Sequence, residues 1–222
     1  MERIPEPELM DEPQQALAYA RADFDSAHSE IMDHYPRLFP DGAAARRVLD
    51  LGCGTGDISV RIARLCPGAR IDAVDGAEAM LDHARTLREA TGLAGRIDLI
   101  HERLPSERLA DGRYDTVISN SLLHHLHDPG VLWSTVRRAG AAGARVFVAD
   151  LTRPENEDSA RELVERYTEG EPDILRHDFF HSLLAAFTPK EIDAQLRESG
   201  LQDVLQVTRI TDRHIVVYGR LP

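Results

Sequence analysis

Two stretches of this chain bring together residue types that can do chemistry. The first runs from Asp50 to Asp57, where Gly52, Gly54 and Gly56 alternate with Cys53 and Thr55 directly after the apolar run Val48, Leu49, Leu51. Glycines at that spacing let a ligand approach the backbone closely, and a helix starting near Asp57 aims free N–H groups at it. The order is G-x-G-x-G, not the G-x-G-x-x-G of dinucleotide sites, and the Asp50 carboxylate stands just before the first glycine. A carboxylate there repels a pyrophosphate and attracts a cationic group. The second stretch is Ser119-Asn120-Ser121-Leu122-Leu123-His124-His125-Leu126-His127-Asp128-Pro129. Histidines titrate near neutrality, so His124 and His125 are candidate general bases. No C-x-x-C or H-E-x-x-H pattern accompanies them, so no metal is expected.

The elements around these stretches read as alternating strands and helices. Ile58 to Leu65 continues the glycine turn as a crossover helix, and the strand Arg70 to Val74 ends in Asp75. Asp75 lies 75 − 56 = 19 residues past the last glycine, near the ~20-residue distance at which a βαβ unit offers an acid to ribose hydroxyls. Further strands are expected over 96–101, 113–119 and 143–149, with helices over 78–90 and 132–139 and a terminal hairpin from 204–209 and 215–218. Ligands in such sheets sit beyond the carboxyl ends of the strands where strand order reverses. Both chemical stretches fall there.

The Asp50–Gly56 turn resembles motif I of the class I methyltransferases that use S-adenosylmethionine (SAM), and Val74 to Met80 resembles their second motif. Residues 123–129 are similar to the Leu-His-His-Leu-x-Asp-Pro signature of the branch acting on small molecules, which includes quinone-biosynthesis enzymes. The resemblance covers 44–150 by motif and 188–219 by topology. It implies a Rossmann-like, doubly wound α/β sheet of seven strands, mostly parallel with an antiparallel terminal strand, helices on both faces and an N-terminal helical cap. It implies methyl transfer from SAM, giving S-adenosylhomocysteine (SAH). Asp50, Gly52, Cys53, Gly54 and Gly56 would hold the methionine half, with Ser119 and Asn120 close by. Asp75, Gly76 and Met80 would hold ribose and adenine. The family's Gly-Asp pair after the third strand is missing; Arg103 and Leu104 stand in its place, leaving adenine to backbone groups, Glu102 or a stacked arginine.

Residues 1–13 carry Pro5, Pro7 and Pro13 among acids and are expected as a disordered tail. Residues 14–222 are then one domain, with 14–40 as the helical cap and 155–187 as a lid-like insertion. Tyr19, Phe24 and His28 of the cap and Arg153, Arg176 and Phe179 of the insertion are candidate substrate contacts. The two arginines would suit a carboxylate on the acceptor. Net charge is −12 from 26 basic and 38 acidic residues, without a basic run, which argues against nucleic acid. Cys53 and Cys66 read as packed free thiols of a cytoplasmic protein, and no apolar run reaches the ~20 residues of a membrane span. The competing readings are a nicotinamide dehydrogenase, a protein or RNA methyltransferase, and a SAM-binding module without chemistry. The oligomeric state is open, a homodimer being one option.

Overall fold

A computed structural model describes residues 1–222. Alternation along the strands decides which side chains enter which layer. In β1 (Arg47–Leu51), Leu49 and Leu51 turn to one face and Val48 to the other. The same division runs through β2 (Arg70–Asp75), β3 (Ile97–His101), β4 (Tyr114–Asn120) and β5 (Gly140–Leu151), which pair in parallel. Seven strands follow the order β3-β2-β1-β4-β5-β7-β6, with β7 (His214–Arg220) antiparallel to both β5 and β6 (Leu205–Arg209). That is the doubly wound sheet expected, and strand order reverses between β1 and β4.

Three helices lead into the sheet, α1 (Pro13–Arg21), α2 (Asp25–Met32) and α3 (His34–Leu38). The cap is therefore broken twice, first at Ala22, whose backbone is extended. Tyr35 of α3 and Ile62 of α4 (Asp57–Leu65) cover Val48, Ile71 and Phe147 on one face. Leu81 of α5 (Glu78–Ala90) joins them. Trp133 of α6 (Gly130–Ala139) and Ile192 of α9 (Pro189–Glu198) cover Leu49, Val117 and Val146 on the other. Between β5 and α9, α7 (Glu157–Tyr167) and α8 (Asp173–Ala185) share a small core of their own around Leu163 and Leu184. No helix is long and apolar enough to cross a membrane.

The N-terminus departs from expectation, because residues 1–12 form a strap across the end of the sheet instead of a free tail. Arg3 donates from Nε to the Ala185 carbonyl (2.6 Å) and from Nη2 to the carbonyls of His124 (2.8 Å) and Leu126 (3.1 Å). Its guanidinium also lies over the Phe187 ring, 4.1 Å from the centroid. The Ile4 N–H reaches the Leu184 carbonyl at 3.1 Å, and Glu8 accepts from the His127 N–H at 3.0 Å. The prolines that exclude a helix hold an extended chain well suited to lying along a surface. Composition alone sees the lack of helix and misses the docking.

A hydrogen bond to a charged group contributes about 1.5–3 kcal/mol. Arg3→Ala is therefore expected to raise protease cleavage within residues 1–12 at least tenfold, since cleavage follows the open population. An unchanged cleavage rate would show that the strap is held by something else.

Candidate active site

A cavity of about 690 Å³ opens at the carboxyl ends of β1, β2, β4 and β5, beneath the cap and the strap. Two glycines shape its floor. Gly52 has φ +70°, and a Cβ there would lie 2.8 Å from the Leu122 Cβ. Gly54 has φ +53° and faces open space. A side chain would strain the first turn and fill the second.

Asp50 and Asp75 flank this turn and do different work. Asp75 Oδ2 accepts from the Gly54 N–H and Oδ1 from the Ala77 N–H, both at 2.8 Å, which fixes the turn against β2. Burial raises its pKa, and these backbone bonds oppose the rise. Asp50 Oδ2 accepts from Ser59 Oγ of α4 at 2.5 Å, while Asp50 Oδ1 is buried without a partner. Asn120 Oδ1 is a second buried acceptor without one. Both side chains line the cavity. Leaving such acceptors unmet costs about 1–3 kcal/mol each, so the site fits a ligand that brings several donors, as the ammonium of SAM does. Burial above all, with the neighbouring Asp75 charge adding and the Ser59 bond opposing, pushes the Asp50 pKa to about 7.

Past Asp75 the cavity is lined by Gly76, Ala77, Met80, Arg103 and Leu104, the end expected to take adenine. Met80 is buried against Ala16 and Ala77. Glu102 spends its carboxylate on Ser106 Oγ (3.1 Å) and Arg108 (2.5 Å). Arg103 has no protein partner of its own. Its aliphatic stem lies beside Gly76.

At the opposite end Asp150, the penultimate residue of β5, organises the histidines. It accepts from the Leu123 N–H (2.7 Å), the Leu151 N–H (2.6 Å) and His124 Nδ1 (2.5 Å). The two backbone bonds pin the short 3-10 turn Leu123–His125 and its neighbour in β5, and the third fixes the His124 ring with Nε2 turned away from Asp150. Burial works to lower the His124 pKa, yet the adjacent Asp150 charge and hydrogen bond carry it above the ordinary value. His125 is pushed down to about 3 by burial and by its neighbour His124. Tyr19, Phe24, Leu122, Leu126, Leu151 and Phe179 give the cavity apolar walls, Tyr19 packing beside Ala77 and Met80. Tyr19 stacks on Phe24 (4.6 Å between centroids) and Phe24 on His28 (5.4 Å), whose Nδ1 is 2.7 Å from Asp57.

Four expected contacts fall elsewhere. Ser119 donates to the Leu51 carbonyl at 2.8 Å and is buried between β1 and β4, tying strands together. Gly56 is the N-cap of α4 and packs on Ala84 away from the cavity. Arg153 is buried and fully used, donating to Glu191 (2.6 Å), the Ala186 carbonyl (2.8 Å) and the Met1 carbonyl (3.2 Å). Arg176 points back along its own segment to the Thr168 carbonyl at 3.0 Å. Neither arginine lines the cavity, where carboxylates outnumber the two arginines present, Arg103 and Arg213. The sequence reading missed Asp57, Asp150 and the strap residues Leu9 and Met10. Asp57 and Asp150 end recognisable elements and were within reach; the strap gave no signal.

Residues 48–143 match a family model described as a methyltransferase domain. The ubiquinone biosynthesis O-methyltransferase of Pseudomonas aeruginosa is 28% identical over 172 residues, covering 75% of this chain and 70% of that one. The malonyl-[acyl-carrier protein] O-methyltransferase of Bacillus cytotoxicus is 41% identical over 86 residues, and the chain spans 28% of its length. A SAM-dependent methyltransferase structure from Aquifex aeolicus superposes with a TM-score of 0.68 at 16% identity, covering 95% of this chain and 99% of that one. One from Methanococcus maripaludis gives 0.71 at 14%, covering 99% and 98%. With the glycine turn, its two flanking aspartates and the sheet order, these matches define the protein as a class I SAM-dependent methyltransferase. Its histidine stretch resembles the one found in the small-molecule branch of that class.

Two consequences can be measured. A cationic ammonium favours ionised Asp50, so below about pH 7 binding must expel a proton, and SAH affinity should fall up to tenfold per pH unit on acidification while levelling off above. Asp50→Asn should flatten that slope in calorimetry; a slope that survives the substitution assigns the proton to another group. Asp75→Ala removes the anchor of the turn and a ribose acceptor, so SAH affinity should fall at least tenfold. Unchanged affinity refutes the role.

Proposed function

We propose that the protein transfers the methyl group of SAM to a hydroxyl oxygen of a small, largely apolar acceptor held between the cap, α8 and the histidine turn. The observation that carries this reading is the Asp150–His124 pair at the acceptor end of the cavity. An oxygen acceptor must lose its proton as the new C–O bond forms, and an imidazole oriented by a buried carboxylate is suited to activating it. SAM supplies an electrophilic methyl group on sulfonium. The chain's own contribution is alignment of acceptor and donor at about 3–3.5 Å in a site sheltered from water. The O-methyltransferase names of the two relatives support oxygen as the acceptor atom. The Phe24, Leu122, Leu126 and Phe179 walls support an apolar body. Arg153 and Arg176 are engaged elsewhere, and a wall rich in carboxylates favours a neutral hydroxyl over a carboxylate-bearing acceptor, for which the name of the malonyl-[acyl-carrier protein] relative is the remaining support.

Screening hydroxylated aromatic and aliphatic compounds with labelled SAM, followed by mass spectrometry, identifies the bond made. Methyl ethers are expected, and His124→Asn should lower turnover by about 10²–10⁴ with SAH affinity retained. Products methylated only on nitrogen, or undiminished turnover in the variant, would contradict the proposal.

A further inference from the structure

The strap brings a carboxylate to the histidine turn from 118 residues away in sequence (124 − 6 = 118). Glu6 Oε1 lies 3.4 Å from His124 Nε2 and 3.3 Å from His125 Nδ1. One oxygen thus faces two imidazole nitrogens, and the ligand atoms of all three residues fall within 4.8 Å of one another. Both separations exceed the 2.7–3.2 Å of an N–H···O hydrogen bond. They equal the ~3.3–3.5 Å edge of a tetrahedron built on metal–ligand bonds of about 2.0–2.1 Å. We infer that Glu6, His124 and His125 form a binding site for one divalent transition-metal cation.

Two further features fit. Asp150 accepts the Nδ1–H of His124, which leaves Nε2, directed at Glu6, as the nitrogen that can ligate, the carboxylate–histidine–metal arrangement found around metal ligands. Ser182 Oγ donates to Glu6 Oε1 at 3.0 Å, so the carboxylate is itself oriented from α8. The Pro7 carbonyl, 3.3 Å from His125 Nδ1, can only accept, so that nitrogen carries a proton in the free protein and must release it for a cation to bind. Two imidazoles and one carboxylate suit zinc or iron over magnesium or calcium. Three protein ligands leave a fourth position, and His124 and His125 both line the acceptor end of the cavity. Deleting residues 1–10 would remove one ligand in three, so the strap is a component of the site as well as its cover.

What the cation does rests on the O-methylation reading; that it binds does not. With the acceptor hydroxyl in the fourth position, the cation would lower its pKa and its proton would pass out of the site to bulk solvent, His124 then serving as a ligand in place of a base. The oxygen lone pair then forms the C–O bond as the C–S bond breaks, and that bond's electron pair stays on sulfur to give neutral SAH. In that step His124 activates the acceptor as a ligand.

The test uses the full chain, stripped with a chelator and titrated with zinc ions in competition with a chromophoric chelator, no acceptor being present. One equivalent should bind, and Glu6→Gln and His125→Ala should each weaken binding at least tenfold, with SAH affinity by calorimetry reporting that the fold is intact. Asp150→Asn should weaken it about 10–100-fold through the lost second partner of His124. His177 and His181 on α8, whose rings lie 4.2 Å apart, are the control for stray binding, and their joint replacement by alanine should change nothing. Stoichiometric zinc that survives Glu6→Gln and His125→Ala, or that is lost with the His177/His181 pair, overturns the inference, as does the absence of binding. Zinc bound at this site with no methyl ether formed would instead overturn the proposed reaction and leave the site standing.

Discussion

Three aspartates at or next to the carboxyl ends of strands, the buried Asp50 on β1 and Asp150 on β5 and the half-buried Asp75 on β2, set the constraint from which the site follows. A carboxylate withdrawn from water needs donors, and each of the three obtains them differently. Asp75 takes two backbone N–H groups and so dictates the path of the glycine turn. Asp150 takes backbone N–H groups on both sides and a histidine N–H, and so dictates where the His124 ring stands. Asp50 is left half satisfied, with one oxygen on Ser59 and the other bare. Two of them build the cavity, and the third leaves in it an unmet demand for a cation.

The cover is as specific as the floor. Arg3 is anchored by three carbonyls from two separate segments and by the Phe187 ring, so the strap is registered to within a residue and delivers Glu6 to the histidines. Arg153 works on the same corner, joining Met1, Ala186 and the capping-box residue Glu191 at the start of α9. An arginine expected to hold substrate instead holds the strap and the last helix together. In a chain of net charge −12, arginines surrounded by acids are drawn first to protein partners.

What the sequence made legible was local. The glycine spacing, Asp50, Asp75 and the strand-to-helix alternation each sit within a few residues of what they act on, and period and turn chemistry sufficed to find them. Asn120 and the histidine stretch were found the same way, by their place at the end of β4. Ser119 was assigned a ligand because position along a strand does not tell which face its hydroxyl takes; here the Leu51 carbonyl of β1 claims it. Arg153 and Arg176 failed for a related reason, since their partners Glu191 and Thr168 are set by packing of α7, α8 and α9. Residues 1–12 carry the least signal, because two prolines and several acids describe a disordered segment and a docked extended strap equally well. The third residue beside His124 and His125 lay in that segment.

A crystal structure of the SAH complex tests the central claim most directly. The account predicts the amino group of SAH donating to Asp50 Oδ1 and Asn120 Oδ1, the ribose diol on Asp75, and the sulfur turned toward His124. A ligand bound in another orientation, with Asp50 Oδ1 still unpartnered, would contradict it.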